Sequence, residues 1–157
     1  MDADACPVKE EVYRVAKRHD LGVTLVAASW MRTPSDARVA LEIVEQGFDA
    51  ADDWIVANAV PNDIVITGDV PLAARCIGKG VHALGPTGHP FTESNIGDVL
   101  ATRNLFADMR AAGREMTGPA PFDPRDRSRF LQALDRAINV QRNTSTRDDA
   151  QGQPREV

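Results

Sequence analysis

The spacing of apolar residues along the chain predicts alternating helices and strands. Val8, Val12 and Val15 recur at helical intervals behind Pro7, a residue that suits the first turn of a helix. The next apolar run, 22–28, is continuous and rich in β-branched residues, which is typical of a buried strand. The same criteria predict further strands at 37–44, 63–67 and 81–84, and further helices at 50–59, 70–78, 93–112 and 126–139.

The segment 37–44 fits two structures. Val39 and Ile43 belong to an alternating apolar pattern that indicates a strand. Ser35 and Asp36, directly before it, are residues that often cap a helix. We favour the strand.

The order of these elements predicts an α/β fold with a mainly parallel sheet covered by helices on both faces, followed by a helical C-terminal part. The chain has 157 residues, which fits a single domain, and we place that domain at 1–140. Residues 141–157 are almost wholly polar, so we expect a disordered tail. In sheets of this kind, functional residues collect at the carboxyl ends of the strands.

Charge and composition narrow the classes of function. Residues 1–69 carry 13 acidic against 6 basic side chains, and residues 70–157 carry 10 against 12. This imbalance does not fit binding of nucleic acid by bulk charge, but it is expected where carboxylates surround a cation. The chain has no leader-like start and no apolar run near the roughly 18 residues of a membrane span. Cys6 and Cys76 form no CxxC pair, so we expect reduced cysteines in a cytoplasmic protein without a membrane partner.

Five aspartates stand where predicted strands end or predicted helices begin. Carboxylates brought together repel each other unless a cation joins them, and Mg²⁺ or Mn²⁺ suits a set of oxygen ligands that retains waters. The alternative is that each aspartate caps a helix or serves a turn. We predict a metal site in which Asp52 supports or shares the ligation, and the other ligands are Asp2, Asp4, Asp53 and Asp69.

Five segments of the chain resemble the bacterial YaiI/YqxD family. The resemblance covers about residues 2–138. That family has no established activity and is placed near the PIN-like nucleases by similarity of fold, so the resemblance implies a three-layer sandwich. The segments are DADACPV (2–8), GFDAADDWIV (47–56), DIVITGDVPLA (63–73), NIGDVL (95–100) and TGPAPFDPRDRSRFLQALD (117–135).

The resemblance also implies a chemistry. In PIN-like nucleases one aspartate ends the first strand, others lie on a central helix, and another follows a later strand. Asp2, Asp53 and Asp69 match these catalytic roles, with Asp4 and Asp52 as neighbours. The implied protein is a magnesium- or manganese-dependent hydrolase that cleaves phosphodiester bonds, with RNA as its substrate.

Two other functions remain open. In a haloacid-dehalogenase-type phosphatase, Asp2 would be the nucleophile, Asp4 the acid/base and Thr67 the phosphate-binding hydroxyl. In that family, however, the threonine precedes the acid pair, whereas here it follows Asp52 and Asp53. The second alternative is a non-catalytic PIN-like protein that binds RNA or another protein.

Arg103 is a candidate for contact with the substrate. It lies with Arg110 and Arg114 along the predicted helix 93–112, where the three cations could line a phosphate channel. A solvated helix face is the alternative interpretation.

The predicted sheet lacks a first strand. A parallel sheet of this kind should have a strand of about 5–6 residues ahead of Asp2, but only Met1 precedes it. In the PIN-like arrangement this would be a central strand, so both of its neighbours would lose backbone partners. We expect either that the natural protein starts upstream of Met1, or that a partner strand fills the gap or the sheet stays open.

Overall fold

The computed structural model describes residues 1–4, 6–45, 47–115 and 121–151, with the backbone alone over 144–151. Part of the family resemblance, 117–120, therefore lies outside the described residues. The helices are α1 (Lys9–His19), α2 (Ala50–Asn58), α3 (Val70–Gly78), α4 (Ile96–Ala111) and α5 (Pro124–Gln151). The strands are β1 (Val23–Ala27), β2 (Val39–Ile43), β3 (Ile64–Ile66), β4 (His82–Leu84) and β5 (Pro90–Phe91). These elements confirm the predicted α/β class.

The strands form two small sheets. β1 and β2 are parallel, with Val23 opposite Val39 and Ala27 opposite Ile43, so the segment 37–44 is the strand that its alternating pattern favours. β3 and β4 are also parallel, and β5 adds to β4 in the antiparallel direction. The pairing is therefore mainly parallel, as predicted.

The first three residues join the two sheets. Asp2 bridges to Val26 of β1 in parallel, where the Val26 N–H donates to the Met1 carbonyl at 2.9 Å and the Ala3 N–H donates to the Val26 carbonyl at 2.9 Å. On the other side, the Asp2 N–H donates to the Ile66 carbonyl of β3 at 3.1 Å. Residues 1–3 thus occupy the position of a short central strand between β1 and β3.

Alternation along the strands separates two hydrophobic clusters. Leu25 and Ile66 belong to a cluster with the buried faces of α1 and α5. Val26 and Val65, which come next to them in sequence, belong to a second cluster with α2 and α3. Because successive side chains of a strand point to opposite faces, helices pack on both faces of the strands.

The packing of α1 on α5 contains an ion pair between a buried carboxylate and a half-exposed guanidinium. Glu11 of α1 is 7% exposed, and its Oε1 accepts a hydrogen bond from Nη1 of Arg127 at 2.9 Å. The same guanidinium donates to the Pro7 carbonyl at 3.1 Å and lies over the Phe122 ring at 5.0 Å from its centroid. Arg127 therefore ties the start of α5 to the start of α1.

Two predictions about the C-terminal half are wrong. No strand was predicted between the strand at 81–84 and the helix at 93–112, but Pro90–Phe91 pairs as β5; a two-residue strand is too short to show an alternating pattern. The last helix was expected to end at 139, but helical backbone continues to Gln151. Residues 152–157 lie outside the described residues, so the domain boundary at 140 and the disordered tail expected from 141 stay predictions.

No helix in the described part of the chain has the length and apolar character needed to cross a bilayer.

Candidate functional site

Asp2 lies at the carboxyl edge of the strands because the first three residues run between β1 and β3. The hydroxyl of Thr67, the residue directly after β3, donates to Oδ2 of Asp2 at 3.1 Å. Burial raises the pKa of Asp2, the Thr67 hydrogen bond opposes that rise, and the negative charges of Asp4 and Asp69 add to it. The side chain is therefore held near other carboxylates in a partly desolvated place.

Thr67 also connects Asp2 with Asp69. Its hydroxyl oxygen accepts the Asp69 N–H at 3.0 Å while the hydroxyl donates to Asp2. Thr67 is 2% exposed, and both of these bonds stay within the protein. We assign it to positioning of the two aspartates, although the sequence suggested contact with a phosphate.

Asp69 holds the start of α3. Its Oδ1 accepts the Leu72 N–H at 2.8 Å, which is the bond of a helix N-cap, and Pro71 follows in the first turn. The capping interpretation considered from the sequence is therefore correct for this residue. Because the cap uses Oδ1, the second oxygen of the carboxylate remains for another role.

Asp52 is the third carboxylate of this group. It lies in the first turn of α2, and its pKa is raised to about 6, first by burial and then by the negative charges of Asp69 and Asp2. The charges of Asp69 and Asp2 act on Asp52 through space, so the three carboxylates lie within electrostatic range of one another. They belong to three separate segments of the chain.

Asp53 does not join this group in the way the sequence suggested. Its side chain is 66% exposed, and its Oδ1 accepts a hydrogen bond from Nη2 of Arg75 at 2.7 Å. Neighbouring positions of a helix differ by about 100° in direction, so only one of the two adjacent aspartates can face the strand ends. In the structure, Asp52 is the one that lies on the side of the strand ends.

A signal in the sequence distinguishes these two residues. Asp52 comes three residues before Ile55, which is buried, whereas Asp53 comes four residues before Ala57, which is exposed. Residues three or four apart share a helix face, so the apolar pattern of α2 places Asp52 on the inner side.

Asp4 has a structural role. Its two carboxylate oxygens accept the Ala28 N–H at 3.0 and 3.3 Å, which satisfies the backbone just beyond the end of β1. The negative charge of Asp4 still contributes to the raised pKa of Asp2. Asp4 therefore lies near Asp2, although its own oxygens are used by the Ala28 N–H. The phosphatase alternative needs Asp4 as acid/base, and this hydrogen bond gives that alternative no support.

A cleft of about 380 Å³ opens beside Asp2 and Asp69. Cys6 and Pro86 also line it, and burial raises the pKa of the Cys6 thiol. A desolvated thiol of this kind is a poor nucleophile, so Cys6 is better explained as a packing residue.

The described residues contain no group of three His, Cys, Asp or Glu side chains placed to enclose a metal ion directly. Mg²⁺ commonly keeps several waters and binds through one or two carboxylates, so a water-rich site needs no such cage. The donor chemistry of Asp2, Asp52 and Asp69 suits that kind of ion.

Arg103 lies apart from these features. It is an exposed residue of α4, where its guanidinium contacts the neighbouring Asn104 at 3.5 Å. No residue of α4 is buried, which fits the solvated helix face considered from the sequence.

The chain has known relatives across most of its length. Residues 1–140 match the model of an uncharacterised bacterial family, YaiI/YqxD, which confirms the resemblance. A "UPF0178 protein" of Rhodopseudomonas palustris strain BisB18 is 53% identical over 147 residues, which is 93% of this chain and 95% of the relative. Another, from Rhodopseudomonas palustris strain TIE-1, is 55% identical over 138 residues, which is 88% of this chain and 87% of the relative. One from Bradyrhizobium diazoefficiens is 51% identical over 138 residues, which is 88% of this chain and 83% of the relative. No solved structure matches the chain significantly.

Proposed function

We propose that this chain, which belongs to the YaiI/YqxD family, is a divalent-metal-dependent phosphodiesterase that acts on RNA, as its resemblance to PIN-like nucleases implies. The fold would be the three-layer PIN-like sandwich, and the metal would be Mg²⁺ or Mn²⁺. The observation that carries the proposal is the geometry at Thr67, whose hydroxyl donates to Oδ2 of Asp2 and accepts the Asp69 N–H, so that two carboxylates are held together at the strand ends. The raised pKa of Asp52, caused first by burial and then by the charges of Asp69 and Asp2, agrees with it.

Three carboxylates in this position carry a free-energy cost without a cation. Burial removes solvent from Asp2 and Asp52 and raises the pKa of both carboxyls. The charge of Asp69 adds to the rise at each of them, and the charge of Asp2 adds to the rise at Asp52. A protein gains stability from replacing such a repelling set with neutral residues, so the set is easier to explain if a cation compensates it. Asp2, Asp52 and Asp69 are the residues that would hold the ion, directly or through waters.

The remaining groups would orient these ligands. Thr67 holds Oδ2 of Asp2, and the α3 cap fixes Oδ1 of Asp69, so each carboxylate keeps one oxygen for the ion or its waters. Arg75, paired with Asp53, places a positive charge near Asp52 and Asp49 on the outer side of α2. A bound divalent ion would lower the pKa of a coordinated water and stabilise negative charge that develops on a phosphate.

The test begins with metal binding in the absence of substrate. Titration calorimetry with Mn²⁺ should show binding to the parent protein and to Asp53→Asn, but at least about tenfold weaker binding to Asp52→Asn. Asp53→Asn is the matched control because it removes the same charge one position away on α2. Equal affinity of the two variants would refute the proposed ligand set.

Cleavage is the second step of the test. End-labelled single-stranded RNA incubated with the protein and Mn²⁺ should be cut, and Asp52→Asn should lose that activity while Asp53→Asn retains it. Metal binding without cleavage of RNA would instead support the non-catalytic PIN-like alternative.

A further inference from the structure

Exposed aromatic side chains lie at the same edge of the strands as the aspartates. Seven large apolar residues in the described part of the chain are exposed, and three of them, Trp30, Ile43 and Phe48, lie at the carboxyl ends of β1 and β2 or in the loops that follow. Trp30 is 74% exposed and Phe48 is 97% exposed. Large apolar side chains that gather on one part of a surface mark a site of interaction.

The two aromatic residues follow neighbouring strands. β1 and β2 are parallel and end together, and the Val44 N–H donates to the Ala27 carbonyl at 3.0 Å just past the last pair. Trp30 comes three residues after Ala27, and Phe48 comes directly before Asp49, the N-cap residue of α2. Both loops therefore begin at the carboxyl edge of this sheet.

The order of the strands places these loops beside the aspartate group. β2 pairs with β1, β1 bridges to Asp2, and the Asp2 N–H donates to the Ile66 carbonyl of β3. Adjacent strands lie about 4.8 Å apart. The strands that precede Trp30 and Phe48 therefore end one and two strand positions from Asp2, or about 5 and 10 Å across the sheet.

Contacts along the chain connect both loops to the aspartates. The Ala28 N–H, two residues before Trp30, donates to the carboxylate oxygens of Asp4 at 3.0 and 3.3 Å. Phe48 lies four residues before Asp52, at the start of the same helix. A ligand held at the aspartates therefore lies next to the loops that carry the two aromatic rings.

Stacking on these rings offers affinity for RNA that the charge of the protein does not. The net charge is −5, and carboxylates without a cation repel phosphates. Proteins that bind single-stranded nucleic acid use aromatic side chains on which successive unpaired bases stack, whatever the sequence of those bases. Arg32, two residues after Trp30, is exposed and adds a positive charge to the same loop.

The dimensions suit a short single strand. One nucleotide advances by about 3.4 Å in a stacked strand. A phosphate at the aspartates would therefore leave bases about one to three nucleotides away near Trp30 and Phe48. Bases in a duplex are paired and already stacked on each other, so only an unpaired strand can offer them to the protein.

We propose that Trp30 and Phe48 form a stacking platform for unpaired bases of the RNA, and that this platform selects single-stranded over double-stranded RNA. The inference rests on the proposed function, because it takes RNA as the substrate and the aspartates as the place where its phosphate is held. Both rings bind bases on the β1 and β2 side of the aspartates and take no part in the cleavage step.

The probe is a labelled octauridylate, whose length lies within the roughly 4–16 nucleotides of single-strand binding sites. An abasic octamer with the same backbone is the matched ligand. Both are titrated in EDTA, where metal-dependent cleavage does not occur, and fluorescence anisotropy gives the Kd. Trp30→Ala and Phe48→Ala should each weaken binding of octauridylate at least about fivefold and leave binding of the abasic octamer unchanged. Phe106→Ala, which removes an exposed aromatic ring of α4, is the matched control and should change neither Kd.

Tryptophan fluorescence reports whether a base reaches Trp30 itself. The chain has two tryptophans, and Trp54→Phe leaves Trp30 as the only one. Octauridylate should quench the emission of this variant, and an RNA duplex should quench it much less. Trp30→Phe keeps an aromatic ring and should retain most of the affinity that Trp30→Ala loses.

Several outcomes would overturn the stacking platform. They are an unchanged Kd in both alanine variants, an equal loss for octauridylate and the abasic octamer, and equal binding of the duplex. Poor quenching of Trp30 by acrylamide in the free protein would also overturn it, because a segment of the chain itself would then cover the ring.

The metal titration with Asp52→Asn keeps this test separate from the proposed function. If Mn²⁺ binds as proposed but neither ring affects the Kd, the stacking platform alone is refuted. If Mn²⁺ does not bind while octauridylate binding depends on both rings, the metal site is refuted and the platform stands as an RNA-binding surface.

Discussion

Asp52 and Asp53 are adjacent in sequence but differ in their electrostatic surroundings. Asp52 faces Asp2 and Asp69 across the strand ends, whereas Asp53 is exposed and paired with Arg75. Sequence patterns could place both on the first turn of one helix, but ligation depends on which of them is rotated towards the strands. The sequence signal is the large apolar Ile55 three residues after Asp52, against the small Ala57 four residues after Asp53.

The raised pKa of Asp52 predicts a pH-dependent effect on stability. The pKa of Asp52 is about 6 in the native state and 3.8 in the unfolded chain. Ionisation of Asp52 therefore destabilises the native state progressively as the pH rises from about 4 to 6, and the full free-energy cost is present above pH 6. Asp52→Asn should therefore stabilise the metal-free protein by about 1–2 kcal/mol at pH 7, with solvent screening taken into account, and much less at pH 4.

Urea denaturation in EDTA at both pH values measures this effect. Asp53→Asn is the control, since it removes an exposed carboxylate that has a cationic partner and should not stabilise the protein at pH 7. An equal gain from Asp52→Asn at pH 4 and pH 7 would contradict the crowding of Asp52 by Asp2 and Asp69.

Thr67 offers a second prediction at the residue scale. Thr67→Val keeps the side-chain shape but removes the donor to Asp2 and the acceptor of the Asp69 N–H. It should lower the free energy of unfolding by about 1–3 kcal/mol because a partly buried donor loses its partner. Thr67→Ser restores the hydroxyl and should recover most of that loss in urea denaturation; if the serine variant is as unstable as the valine variant, the hydrogen bonds do not matter.

Most elements could be predicted from the sequence because their patterns are long enough to show a period. The helix behind Pro7, the strand at 22–28 and the strand at 37–44 are examples. β5 could not be predicted from the sequence, because it has only two residues, one of them a proline, and two residues cannot show an alternating apolar pattern. The contact of the 85–91 loop with α5 was equally hidden: at Gly88 the φ angle is +86°, and a Cβ would lie 2.7 Å from the Arg129 carbonyl carbon.

The pairing of α1 with α5 predicts a non-additive effect of two mutations. Arg127→Ala leaves the Glu11 carboxylate buried without its cation and should cost about 3–5 kcal/mol. Glu11→Gln combined with Arg127→Ala should cost less than the sum of the two single changes, because the uncompensated charge is absent. Arg125→Ala, at an exposed position of the same helix, is the control, and additive effects in denaturant would exclude coupling of Glu11 with Arg127.

At the scale of the whole molecule, three residues connect two sheets. Met1, Asp2 and Ala3 bond to β1 on one side and β3 on the other, which brings Asp2 to the strand ends beside Asp69. The sequence could predict that these aspartates share an edge, because parallel strands end together. It could not predict that Asp4 would turn back to the Ala28 N–H, since that contact depends on where residue 4 leaves the strands.

The extent of the domain gives the last prediction. α5 runs to Gln151, but its buried apolar residues among those described, Phe130, Leu134 and Ile138, all precede 140, where the family match also ends. A chain that stops after Asn143 keeps these three residues and Gln141, so its free energy of unfolding should stay within about 0.5 kcal/mol of the parent value. Phe130→Ala in the full chain is the contrast: Phe130 is fully buried, and its truncation should cost about 3–5 kcal/mol. Chemical denaturation of the three proteins side by side measures both effects. A loss in the shortened chain as large as that of Phe130→Ala would show that the domain needs residues beyond 143 and would move its boundary towards the end of α5.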